Sequence, residues 1–114
     1  MLIEAKIIKH LNAEVGPTFA EVPKTNIPSK YSVISKTGGA FRNHAIRSAF
    51  ITIQSIAPTM QEASELNEQV IISMLRLAED NDVSRVQLNS DYNYTDSTKK
   101  NYRYQAVFDV VYFS

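Results

Sequence analysis

The sequence predicts an α+β fold: a largely antiparallel β-sheet with a long helix and an N-terminal helix packed on it. Three observations carry this. Residues 59–79 repeat apolar side chains at helical spacing behind a helix-start signal. Residues 47–56 and 102–113 alternate with the period of a strand. Proline, glycine and polar clusters punctuate the chain between these segments. The 114 residues suit one domain spanning 1–114, and 44% hydrophobic content matches a globular chain.

The first dozen residues read as a short amphipathic helix. Leu2 or Ile3, Ile7, Ile8 and Leu11 recur at helical spacing, while Glu4, Lys6 and Lys9 lie elsewhere. Val15-Gly16-Pro17 stops it, since proline cannot continue a helix. A short extended piece is expected from Phe19 to Val22, then a loop from Pro23 to Pro28. Tyr31 to Lys36 alternates as a strand, and Thr37-Gly38-Gly39 is expected to end it. Ala40 to Ala45 reads as irregular. A longer strand from Arg47 to Ile56 is apolar on both faces, which predicts a central place in the sheet.

Thr59-Met60-Gln61-Glu62 fits a capping box, in which side chains satisfy the orphan amides of a helix start. The helix is expected to run to Glu79 with Ala63, Leu66, Val70, Met74 and Leu77 as its stripe. Met60, Ile71, Leu75 and Ala78 broaden that stripe. Asp80-Asn81-Asp82 supplies the closing turn. Val83 to Asn89 is a strand, Asp91 to Asn101 a polar hairpin loop, and Tyr102 to Phe113 a final strand. Tyr102, Tyr104, Ala106, Phe108, Val110 and Tyr112 share one of its faces, and Val107, Val111 and Phe113 make the other apolar toward the end.

Composition narrows the function classes. Cysteine is absent, so disulfides and cysteine-ligated zinc are excluded. The apolar runs are too short to span a bilayer, and charges near the amino terminus interrupt any signal-like segment. Twelve basic residues balance twelve acidic ones, leaving no general cationic surplus for duplex DNA. His10 and His44 have no partner at ligand spacing, and no HExxH, phosphate loop or nucleophile elbow occurs. The glutamates at 62, 65 and 68 read as a solvated helix face. No enzyme, cofactor or metal site is expected.

Two features remain. Ile72 falls among the polar residues of the long helix, either as a lone exposed side chain or as an anchor in a subunit contact. Tyr92, Tyr94, Tyr102 and Tyr104 lie near Lys99, Lys100 and Arg103. That cluster fits either cross-strand tyrosine pairing or stacking on a single-stranded nucleic acid.

The order of signals resembles the tail-terminator, or tail-completion, proteins of siphophages. The resemblance rests on Glu21-Val22-Pro23, Pro28, and the strand Tyr31-Ser32-Val33-Ile34-Ser35. It continues through Thr37-Gly38-Gly39, Phe50-Ile51-Thr52-Ile53-Gln54-Ser55-Ile56-Ala57, the helix with Ala63, and Phe108-Asp109-Val110-Val111-Tyr112. It implies a virion protein, assembled in the host cytoplasm, forming a homo-oligomeric and typically hexameric ring at the head-proximal end of the tail. The implied partners are the tail tube protein and the head–tail connector, with DNA only as passing cargo and no membrane. Within that role, Gly38 to Ala45 is the candidate projecting arm. Gly38, Gly39, Phe41, Arg42, Arg47 and Ile72 are the interface candidates. The alternatives are a neck adaptor or stopper and, from another class, a small nucleic-acid-binding module.

Overall fold

The structure, a computed structural model, describes residues 2–96 and 102–113. Helix α1 spans Ile3–Glu14, strand β1 Thr18–Phe19, β2 Tyr31–Phe41 and β3 Ile46–Ala57. Helix α2 spans Met60–Arg76, continued by a 3₁₀ turn Leu77–Glu79, then β4 Val83–Asn93 and β5 Tyr102–Phe113. The sheet order is β1-β2-β3-β5-β4. Only the β1–β2 pair is parallel, and the other three pairs are antiparallel. The expected α+β architecture and its element order hold, with β3 in the middle.

Pleating sorts β3 and β5 into two rows. Ala49, Ile51 and Ile53 face the helices and are buried, opposite Val110, Phe108 and Ala106. Ile34 extends this row into β2 by pairing with Ile53. Ile3, Ile7 and Leu11 of α1 and Leu66, Val70 and Met74 of α2 close the same cluster. Each such side chain removed from water contributes about 1.5–3 kcal/mol, which outweighs helix propensity in holding these segments. Both described helices pack on this one face of the sheet. On the opposite face Phe50 stays 45% exposed despite the central position of its strand.

Thr59 caps α2 as the sequence predicts. Its extended backbone and its Oγ1, which accepts from Glu62 N at 3.2 Å, satisfy one orphan amide. Thr59→Ala is expected to cost about 1 kcal/mol, read as an earlier urea midpoint with unchanged slope. An unchanged midpoint would show that Pro58 and the packing of Ala63 fix the helix start alone.

Polar contacts lock the elements together. Asn12 Oδ1 accepts from Thr18 N at 2.9 Å, tying α1 to β1. His10 Nε2 lies 2.8 Å from the Ser73 carbonyl, and Ser73 Oγ donates to Glu14, which also receives Arg76. Lys6 bridges Asp80 at 2.9 Å and Asp82 at 3.3 Å, holding α1 to the turn before β4. The Asp82 amide and the Lys6 ammonium hold the Asp80 carboxyl below its ordinary value, and Asp80 raises that of Lys6.

Several boundaries differ from expectation. The extended piece after α1 is Thr18–Phe19 rather than Phe19 to Val22. β4 runs on to Asn93, absorbing the first part of the expected loop, and residues 97–101 lie outside the described residues. Leu75, assigned to the buried stripe, is 44% exposed, while Asn67 and Ser73 are buried instead. Asn67 Nδ2 donates to Asp91 on β4, while its Oδ1 is buried without a partner among the described residues.

Candidate functional site

β2 does not end at Thr37-Gly38-Gly39. The strand shifts register between Lys36 and Gly38, then pairs Gly38 with Phe50, Gly39 with Ala49, Ala40 with Ser48 and Phe41 with Arg47. This is a β-bulge, which lets the ladder continue with a stronger local twist. Neither glycine needs a left-handed backbone. A Cβ at Gly38 would lie 3.3 Å from the Phe50 ring, and one at Gly39 would lie 2.9 Å from Lys36 Cε. At Gly38 the neighbour is an aromatic ring of the paired strand, whereas at Gly39 it is the far end of the flexible Lys36 side chain, which can move aside. The stretch Gly38 to Ala45, irregular in the sequence reading and the candidate projecting arm, is therefore the end of a β-hairpin, with only residues 42–45 outside the strands.

Asn43 builds the turn. Its Oδ1 accepts from Ala45 N at 2.8 Å and Ile46 N at 3.0 Å, and Arg42 N donates to the Ile46 carbonyl at 2.9 Å. Arg47 has the parity of Ala49 and Ile51, so it points to the helix-bearing side at the end of the sheet. Its guanidinium carbon sits 4.4 Å from the Phe41 ring centroid and 5.9 Å from that of Tyr112. The three residues form one row, Phe41 opposite Arg47 and Arg47 opposite Tyr112. Among the described residues Arg47 Nε is buried without a hydrogen-bond partner, and the two rings give the guanidinium a favourable cation–π environment. Phe41 itself remains 69% exposed. Arg47 thus braces the tip, while Phe41 and Arg42 present it.

Ile72 is 58% exposed, as its place in the helical pattern predicts. It borders a shallow groove with Glu14, Val15, Gln69 and Arg76. The structure does not bring it to the hairpin tip. A second, more enclosed groove of about 240 Å³ opens at the amino-terminal end of α2. Val15, Pro17, Pro28, Tyr31 and Leu66 give it apolar walls, and Glu62, Glu65 and Lys30 charge its rim.

A feature missed by net charge is its segregation. Between Glu21 and Glu62 the chain holds Lys24, Lys30, Lys36, Arg42 and Arg47 and not one carboxylate. From Glu62 to Asp82 it holds six carboxylates against Arg76 alone. Counting charge in windows along the chain would have found this.

The tyrosine hairpin does not assemble as a cross-strand aromatic pair. Tyr92 lies opposite Gln105 and accepts a hydrogen bond from it, and Tyr104 lies opposite Asn93. Tyr92 instead meets Tyr94 edge-on, with centroids 6.0 Å apart. Arg103 reaches Gln54 at 3.4 Å across the open sheet face. Lys99 and Lys100 lie outside the described residues. Among the described residues, no group of three or more His, Asp or Glu is placed to hold a metal ion, and no helix is long and apolar enough to cross a membrane.

Neither a protein-family model nor a curated protein sequence matches this chain. Its fold has a counterpart among solved structures. It is similar to a chain in the virion of native gene transfer agent (GTA) particle, with a TM-score of 0.74 and 14% identity, over 95% of this chain and 92% of that one. At that identity the likeness is one of fold, end to end.

Proposed function

We propose that this chain is a structural protein of a phage-like virion that caps the head-proximal end of a tail tube as a ring, ending tube polymerisation. The observation that carries the reading is the fold shared over nearly the whole length of both chains with a component of the gene transfer agent virion. The siphophage tail-terminator resemblance of the sequence supports the finer role. In that role one ring face matches the tube and the other does not template a further tube ring. The tube protein and the head connector are then the partners, a hexameric homo-oligomer the assembly, and DNA a passing cargo. A ring of this kind closes through heterologous contacts, in which different patches of each copy meet. The molecule suits such contacts, being elongated at 44 × 26 × 22 Å with unlike ends.

The test is electron microscopy of tube protein polymerised with and without this chain. An added ring at one end and shortened tubes are the expected result. Tubes of unchanged length with bare ends would overturn the terminator role and put the neck adaptor first. In the same assay Ile72→Asp is expected to fold normally and reduce capping, because Ile72 is exposed in the free chain. Undiminished capping would remove Ile72 from the interface.

A further inference from the structure

The tip of the β2–β3 hairpin and the groove at the start of α2 lie at opposite ends of the molecule. Phe41 and Tyr31 are the two ends of β2, ten residues apart, so roughly 33 Å separates them at strand rise. Tyr31 lines the groove, as do Glu62 and Glu65 on the first turns of α2. The tip therefore cannot reach the groove of its own chain. It can reach that of another copy.

The two ends are complementary in charge and in shape. The tip offers an exposed phenyl ring at Phe41 beside the exposed Arg42, on a β2–β3 hairpin that holds Lys36, Arg42 and Arg47 and no carboxylate. The groove offers apolar walls around about 240 Å³, ample for a phenyl ring, under a rim where two carboxylates outnumber Lys30. Gln61 holds Glu65 in place through a 3.1 Å hydrogen bond. The chain's formal charge is zero, so copies approach without net repulsion. An aromatic anchor beside an arginine is the residue pair that protein interfaces favour at their centres.

We infer that the hairpin tip of one copy seats in this groove of the next, Phe41 between the apolar walls and Arg42 against Glu62 and Glu65. The contact joins two different patches, so repetition gives either a closed ring or an open filament. It supplies the subunit contact of the proposed ring, and rests on that reading only for its closure.

The absence of cysteine allows a direct test. Full-length Arg42→Cys and Glu65→Cys proteins are prepared separately, then mixed and mildly oxidised, both in solution and on tube ends. The expected result is a disulfide-linked dimer in the mixture and little in either protein alone. Adding Phe41→Asp to the first partner should abolish it, while circular dichroism confirms that the variant is folded. Cross-linking no greater in the mixture than in the separate proteins, under both conditions, overturns the inference. So does salt-sensitive binding of a short duplex DNA by the unmodified protein that Arg42→Glu removes, if no mixed dimer forms. Capped tubes without the mixed cross-link sink this contact and leave the capping role standing. The mixed cross-link without capping does the reverse.

Discussion

Phe108→Ala is expected to lower stability by about 3–5 kcal/mol, the loss for an aromatic ring removed from a closed core. Phe108 has no exposed surface and sits on β5 between Ile51 of β3 and Leu88 of β4. The neighbouring positions are locked by two ladders and by the helices, so the site collapses poorly and much of the cavity persists. A small fold has only about 5–15 kcal/mol in total, so this one change takes a large share. Urea unfolding measures it, with an earlier midpoint at constant slope. A loss under about 1 kcal/mol would mean that α2 repacks onto the sheet and fills the cavity.

Tyr112→Ala should cost about 3 kcal/mol and also loosen the hairpin tip. Tyr112 is 1% exposed and lies at the end of β5 closest to the tip, paired with Arg47 and with Val83. Without it Arg47 keeps only the exposed Phe41 as a stacking partner, and the bracing of β3 against β5 is lost. Amide exchange is therefore expected to accelerate at Arg42, whose N–H donates to the Ile46 carbonyl, and at Ile46, whose N–H is held by Asn43. Phe41→Ala removes the other ring from Arg47 but should change stability by only about 0.5 kcal/mol, since it is a surface substitution. Equal losses from the two variants would refute the division between a bracing ring and a presented one.

That division was invisible in the sequence. Phe41 and Tyr112 are both aromatic residues near Arg47 in the folded chain, but nothing in their local patterns pairs them. Tyr112 continues the alternation of β5, so its burial was readable. Phe41 followed Gly38-Gly39 and read as part of a loop, because glycine in a strand usually signals a break. The bulge after Lys36 and the cover supplied by Phe50 override that signal, and both depend on the pairing of β2 with β3. Leu75 failed for a related reason. Helical spacing defines a stripe, but the width of the stripe that is covered depends on what packs there. Here Asn67 and Ser73 are buried by contacts with Asp91, Glu14 and the His10 imidazole, which meets the Ser73 carbonyl.

The candidate site was half legible. The residues proposed for subunit contacts included Phe41, Arg42 and Ile72, and all three are exposed. The groove at the other end was not foreseen. Its walls come from residues 15–17, 28–31 and 62–69, three segments that only the tertiary fold brings together.

By itself, then, the sequence determined the element types, their order and the faces of β3, β5 and α2. Those follow from periodicity and capping, which act between residues a few positions apart. The tertiary structure alone decided that the glycine pair continues a strand, that Arg47 braces while Arg42 is presented, and that a groove lies opposite the tip. Each of these depends on contacts between residues distant in the chain, and local pattern carries no record of them.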